Sequence, residues 1–500
     1  MKKTKKSLLS TVFLFLALLF IFSSCGEAVS DASEEKTDTQ SSPEQTEPEA
    51  AETDYLETLG TRNFEGADFT FLMTRYASVP ELYPPGEEIT GEAVHDAMFN
   101  RDRRLEKNYN VKILYPEIEI YPTNSGELSA ELIRNIRAGD SLGDVYVDQL
   151  GNGQNFMGTV FTQGYLLNLR ELPNLSLSSP WYSQMVNEQF TFRGKQFMTS
   201  GEIAQYMYIG PGCAFMNLNL GTQFNISDLD VYSKVREGKW TYDLMLQYAE
   251  SVEGDLNGDG KITWDTDRFG VVYQAHDLAA SVYLASAGIK MSENLEDQIV
   301  VNMASERAIN VVEYIDEHFE KFTCSDVELF DPLYKSGRAL FALHYVESTI
   351  RFFRDMEDDY VVLPMPKFDE QQDSYVSLIN PWSFAFLGIP KLVDDIDKTT
   401  FITEAMAYLS MKDVRPAIYE ITLKGKLARV PQCQEMLDIV FNTTYLDFEG
   451  IFNFGNTLTT AKNSMFNDEE YVSTLKKSER LLERAIDRFI GIFNAETPAE

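Results

Sequence analysis

Between residues 67 and 147 the chain alternates three short extended stretches with two helical ones, and that order constrains the fold more than any other feature. Ala67–Thr74 (ADFTFLMT) alternates apolar and polar residues, the period of a half-buried strand. Thr90–Tyr109 returns Val94, Met98, Leu105 and Tyr109 at helical spacing, which predicts a helix with Arg101, Arg103 and Arg104 in solvent. Asn110 ends it, and Val111–Tyr115 reads as a second strand. Leu128–Ala138 is a second helical stretch, closed by Gly139. Asp144–Val147 (DVYV) is the third strand. Strand–helix–strand–helix–strand in this order implies a parallel sheet and an α/β body. Ligands of such sheets bind beyond the carboxyl ends of the strands, which makes Asp148 a candidate site residue.

Further on, Gly164–Leu169, Pro180–Tyr182, Phe192–Met198 and Cys213–Asn219 are shorter landmarks. Trp240–Val252 predicts a helix capped by Thr241 or Asp243, with Trp240 as packing. Ser305–Phe319 and Phe401–Leu409 predict two more helices. Asp468–Phe493 reads as a long amphipathic helix, with Leu475, Leu482, Ile486, Phe489 and Phe493 along one stripe. A chain of 500 residues is too long for one ordinary core, so two lobes are expected.

The amino end is of a different kind. Lys2, Lys3, Lys5 and Lys6 precede an uncharged run, Leu8–Phe22, and then Ser23, Ser24 and Cys25. This is the pattern of a secretory signal peptide, and no stop-transfer charges follow it. Gly26–Asp54 holds ten acidic residues, one lysine and no aromatic, Leu, Ile or Met, so it cannot bury enough surface to fold. As a flexible coil it reaches roughly 30 Å. The formal net charge of −35 excludes attraction to a phosphate backbone, so nucleic acid is not an expected partner. Cys213, Cys324 and Cys433 lie far apart with no C-x-x-C, which supports neither a zinc ribbon nor a redox motif and leaves a disulfide undetermined.

The residues around Cys25 resemble the lipobox of bacterial lipoproteins, in which the Cys is acylated and becomes the mature amino terminus. Phe22 departs from the Leu usual at its position. The order of motifs in the body resembles the extracellular solute-binding proteins of ABC importers, in the group that contains the maltose-binding protein. The resemblance rests on Arg104–Val111 running into N-Y-N-V, on Ala138, Gly139, Asp140 and Asp144, and on Gly164–Leu169. It continues through Pro180, Trp181, Gly194, Lys195, Ser200 and Gly201, the W-T-x-D-L of Trp240–Leu244, and Gly337–Phe341 (GRALF). It ends on Leu363–Lys367 (LPMPK) with Gln371 and Tyr375.

That resemblance implies a two-lobed periplasmic-binding-protein fold (type II) with a multi-crossing hinge. Residues 1–24 would be the signal peptide and 25–54 the lipidated Cys and spacer. Lobe one would be 62–198 plus 370–430, and lobe two 199–369 plus 431–495. It implies a monomeric receptor, lipid-anchored through Cys25 on the extracellular face of the membrane. That receptor would close on a solute, expected to be an oligosaccharide, and deliver it to ABC permease subunits. The matched ligand positions are Asp148, Tyr206, Tyr208, Tyr345, Asn380 and Trp382. Flat apolar faces suit sugar C–H surfaces, and planar polar groups suit hydroxyls.

Asp255-Leu-Asn-Gly-Asp-Gly-Lys-Ile-Thr is the sharpest local motif. Asp255, Asn257 and Asp259 occupy positions 1, 3 and 5 of a calcium loop, Gly260 the sharp turn, and Lys261 the backbone-carbonyl position. Position 12 is Thr266 where a bidentate Glu is required, and Asp265 or Asp267 would have to substitute. The expectation is a structural Ca²⁺, apart from the solute site; an Asx/Gly turn that needs no metal is the alternative.

No G-x-S-x-G, G-x-x-x-x-G-K-[ST] or H-E-x-x-H occurs, and His95, His276, His318 and His344 show no ligand spacing. A non-enzyme is expected. The alternatives are an extracellular glycan-active hydrolase, since 78 acidic residues make carboxylate pairs common by chance, and a solute sensor for a membrane signalling protein.

Overall fold

The computed structural model describes residues 54–74, 82, 86, 88–116, 126–151, 156–319, 323–324, 330–424 and 431–494. The signal segment, Cys25 and the spacer up to Thr53 lie outside them. Residues from Asp54 onward form one compact unit.

The chain enters at Asp54, whose carboxylate accepts from Leu56 N and so caps the short helix α1 (Tyr55–Leu59). The Tyr55 hydroxyl donates to the buried Glu404 at 2.9 Å, which ties α1 to the body ahead of the start expected for lobe one. Next come β1 (Ala67–Met73), α2 (Ala93–Tyr109), β2 (Val111–Leu114), α3 (Glu127–Ala138), β3 (Val145–Gln149) and α4 (Phe156–Thr162). The later strands are β4 (Gly212–Asn217), β5 (Phe269–Val272), β6 (Ser292–Leu295), β7 (Gln298–Val301), β8 (Thr323–Cys324) and β9 (Ala339–Tyr345). After them follow β10 (Tyr360–Pro364), β11 (Ser377–Leu378), β12 (Ala385–Gly388) and β13 (Thr444–Tyr445).

Two mixed sheets result. The first has the order β12-β3-β1-β2, with β1 parallel to both β2 and β3 and β12 antiparallel to β3. The second has the order β10-β4-β9-β5-β8, in which β4 alone runs against its neighbours. Each sheet carries helices on both faces and has its own apolar core, as α/β layers require. This is the α/β, two-lobed architecture that the order of elements implies.

Among the described residues, three hydrogen-bonded passages between the lobes lie side by side. The first leads through a 3₁₀ turn, Gln205–Tyr208, to Pro211, which bridges Ile379. The second runs from β11 to β12, with Asn380 N donating to Gly210 O at 2.8 Å. The third is β13, parallel to β11, with Ile379 N donating to Tyr445 O at 2.8 Å. A hinge made of short adjacent strands can bend by small φ/ψ changes while both sheets stay rigid.

One expectation fails inside α2. Arg101 is not in solvent but 2% exposed. Its guanidinium donates to Asp102 Oδ1 (2.8 Å), Tyr115 Oη (2.7 Å) and Ser410 Oγ (3.0 Å). The buried charge persists because every face of it is paired.

Candidate functional site

In each lobe the edge at which an α/β sheet places ligands is the carboxyl end of its parallel strands. On the first lobe that edge is Asp148, Gln149 and the loop before β12. Asp148 is buried; it accepts the Tyr146 hydroxyl at 2.6 Å and Gln149 N at 2.9 Å. Gly151 N donates to Pro381 O at 3.2 Å, which fastens the β3 turn to the returning segment. Asn380 shapes that segment, its Oδ1 accepting from Trp382 N at 2.9 Å and its Nδ2 donating to Ser383 Oγ at 3.1 Å. Trp382 is half-buried and meets Phe156 edge-to-face at 5.8 Å. Phe156 holds φ at 49°, a left-handed position unusual for a bulky residue.

On the second lobe the edge is formed by the ends of β5 and β9. Tyr345 ends β9 and is buried. His344 and His276 both turn Nε2 toward Gln274 Oε1, at 3.3 and 3.2 Å. His276 Nδ1 accepts from Ala279 N, capping the helix Asp277–Ser286, so its proton sits on Nε2. Burial pushes the His344 imidazole down to about 3, and burial lowers His276 as well. Both rings are therefore neutral N–H donors at neutral pH. They line a cavity of about 20 Å³ with Gln274, Tyr283 and Tyr345, room for one water molecule.

Glu347, two residues past β9, connects the edges: it is buried and accepts the Ser383 hydroxyl at 2.6 Å. Burial raises its carboxyl above the ordinary range, against Ser383 and Arg351, which lower it.

Of the residues singled out from the sequence, Asp148, Asn380, Trp382 and Tyr345 stand along these two edges. Tyr206 and Tyr208 stand on the first hinge passage, packed into the first lobe's core. The Tyr208 hydroxyl bonds to Glu202, which Arg415 also meets at 3.3 Å. Gln149, Gln274, His276, His344, Glu347 and Ser383 did not stand out in the sequence. Gln149 is the most telling of them. It is fully buried at the end of β3, and among the described residues neither its Oε1 nor its Nε2 has a hydrogen-bond partner. A buried amide left in that state costs free energy of about 1–3 kcal/mol per group. Its position directly after Asp148 was the available signal.

The loop after the helix Tyr242–Val252 is built from Asx turns. Asp255 accepts from Gly258 N (2.6 Å) and Gly260 N (2.7 Å), Asn257 from Asp259 N (2.8 Å), and Asp259 from Lys261 N (2.9 Å). Asp265 accepts the Thr263 hydroxyl at 2.7 Å. The buried member is Asp267, which accepts from Leu256 N and Thr263 N, both at 2.8 Å, and closes the loop. Among the described residues no three Asp, Glu, His or Cys side chains converge as a metal-holding group. The donor chemistry fits Ca²⁺, since each hydrogen-bonded carboxylate oxygen keeps a lone pair, but the ligands are not drawn together.

Two α/β lobes joined by side-by-side hinge passages are the features of the type II periplasmic-binding-protein fold, the fold of the solute-binding proteins of ABC importers. Solved structures agree. A cyclo/maltodextrin-binding protein complexed with maltotetraose is similar to this chain with a TM-score of 0.57 at 12% identity, over 84% of this chain and 97% of that one. UgpB from Mycobacterium tuberculosis in complex with glycerophosphocholine gives 0.56 at 12%, over 85% and 99%. The galacto-N-biose-/lacto-N-biose I-binding protein from Bifidobacterium longum gives 0.56 at 11%, over 86% and 98%. These are binding proteins. No family model and no curated protein matches the chain. Among the described residues no helix is long and apolar enough to cross a membrane.

Proposed function

We propose that this protein is the substrate-binding component of an ABC importer, capturing an oligosaccharide between its lobes and presenting it to permease subunits. The observation that carries the reading is the unsatisfied Gln149 amide at a strand end of a two-lobed binding fold. Gln149 is covered in the structure as it stands, so this reading needs the β3 edge to open to the solute; a hydroxyl can then accept from Nε2 and donate to Oε1, supplying the bonds the protein withholds. Asp148 adds a charged acceptor, Trp382 a flat apolar face, and the Gln274–His276–His344 group the opposite wall. Closure brings these edges together, and a permease reads the closed shape. Solutes in the similar structures include maltotetraose, lacto-N-biose and glycerophosphocholine, and sugars suit neutral donors better than a phosphodiester does.

A thermal-shift screen over oligosaccharides and glycerophosphodiesters, followed by calorimetry, tests the proposal. Saturable micromolar binding of an oligosaccharide without hydrolysis is the expected result. Binding only of phosphate esters, peptides or polyamines, or turnover of a glycan, overturns it. Acylation of Cys25 would hold the receptor beside its permease on the extracellular face. Cys25→Ala should release the protein from membranes, and retention of the variant would refute the anchor.

Ca²⁺ in the Asp255 loop is proposed as a structural ion, supported by the oxygens of Asp255, Asn257 and Asp259 at calcium-loop spacing. Millimolar Ca²⁺ should raise the melting temperature of EDTA-treated protein, and a flat response would remove the ion from the account.

A further inference from the structure

The first lobe holds a second cavity, at the opposite end of its sheet from the cleft. It has a volume of about 100 Å³, and it lies where α4, the turn after it, the end of β12 and the C-terminal helix (Tyr471–Asn494) meet. Phe161, Leu166, Leu172, Phe197 and Ile492 make its walls apolar. Three polar residues stand in that wall: Asn168, Lys391 and Glu171.

Asn168 is more than nine-tenths buried, and its two ends differ. Oδ1 accepts from Gln196 N at 2.9 Å and from Arg170 N at 3.4 Å, which fixes the amide's orientation. Nδ2 has no partner. A fixed buried donor in an apolar pocket asks for an acceptor. Lys391, half-buried at the same wall, has no carboxylate within ion-pair distance among the described residues, whereas Glu171 is exposed. The volume is several times that of a water molecule and approaches that of a cavity able to hold a benzene ring.

We propose that this cavity binds a small apolar carboxylic acid in its anionic form, of the size of an aromatic or short-chain monocarboxylate. The apolar body fills the space among Phe161, Leu166, Leu172 and Phe197. The carboxylate accepts from Asn168 Nδ2 and pairs with Lys391 Nζ. Glu171 opposes the anion and weakens it. The site is separate from the solute cleft and stands or falls independently of the transport reading.

The test is calorimetric titration of the full chain with benzoate and pentanoate, with benzyl alcohol as the neutral control. Benzoate should bind saturably with a Kd of about 1 mM. Lys391→Gln should weaken it about five- to tenfold, and Glu171→Gln should tighten it about twofold. Asn168→Asp keeps the acceptor for Gln196 N and replaces the donor by a charge, so it should abolish binding. Leu172→Trp, which fills the cavity, should abolish it too, with melting curves confirming that each variant folds. Benzyl alcohol binding as tightly as benzoate, or benzoate binding unchanged in Lys391→Gln and Leu172→Trp, would overturn the proposal.

Discussion

Glu347 and Ser383 join the two lobes: the Ser383 hydroxyl, on the segment entering the first sheet, donates at 2.6 Å to a carboxylate that follows the last residue of β9 in the second. Both are buried, and Asn380 Nδ2 donates to the same hydroxyl. Ser383→Ala removes one bond from the buried Glu347 and leaves the Asn380 amide without its acceptor. The expected loss is about 1–3 kcal/mol in urea denaturation, since orphaned buried polar groups cost more than the bond itself contributes. Unchanged stability would mean that water replaces the hydroxyl.

Gln149 leads to the opposite sign. Gln149→Met has nearly the same volume and removes two unsatisfied polar atoms from a buried position. Stability should hold or rise by about 1 kcal/mol while solute affinity falls at least about tenfold. A variant that loses stability and keeps its affinity would show that Gln149 is packing alone.

The helix just past the third hinge passage, Phe448–Phe452, should titrate. Glu449 is fully buried beside Asp447; it receives the Thr457 hydroxyl on Oε1, and among the described residues no hydrogen bond reaches Oε2. Burial, and then the Asp447 charge, push its carboxyl from 4.5 up to about 8, and burial pushes Asp447 up to about 6. A carboxyl whose folded value is raised binds its proton more tightly in the native state. Its stabilising contribution is complete below pH 4.5 and is lost as pH rises toward 8. Between pH 5 and pH 8 the decline should amount to a few kcal/mol, on the order of 4 at most. Glu449→Gln should flatten that decline, because it holds the site in the neutral form at every pH. Parallel melting curves for the two proteins across this range would refute the assignment.

These residues also show where sequence reading stops. The first sheet was legible because its signals are local: alternation in β1, helical spacing in α2, and Gly139 at φ 87° closing α3. The Thr241 cap was legible for the same reason, its hydroxyl accepting from Leu244 N. The helix expected at Phe401–Leu409 instead starts at Ile396. Its first turns hold Lys398, Thr399 and Thr400, polar residues that read as surface but are buried against Asp68 O, Asp144 and Ile396 O. Arg101 was misplaced because Tyr115 and Ser410, which make its burial tolerable, come from other elements. The imidazoles of His276 and His344 meet through Gln274. An unmet hydrogen bond such as that of Gln149 is a property of packing and leaves no mark on composition.

The C-terminal helix supplies the last prediction. Tyr471 and Leu475 pack into the second lobe's core, while Phe489, Ile490 and Phe493 pack into the first lobe's. Midway, Gly455 lies against the helix backbone at φ 65°, and a Cβ there would sit 2.7 Å from Leu482 Cα. Gly455→Ala must therefore push the helix away as well as strain its own backbone, and it should cost roughly 2–4 kcal/mol. Gly491, on the same helix, has no positive φ, and a Cβ added there would meet no atom within 4 Å. Gly491→Ala should leave stability unchanged or raise it by about 0.5–1 kcal/mol, through helix propensity alone. Urea denaturation of the two variants separates close packing from propensity. Equal effects at both positions would show that the helix does not press on Gly455 and does not tie the lobes together there.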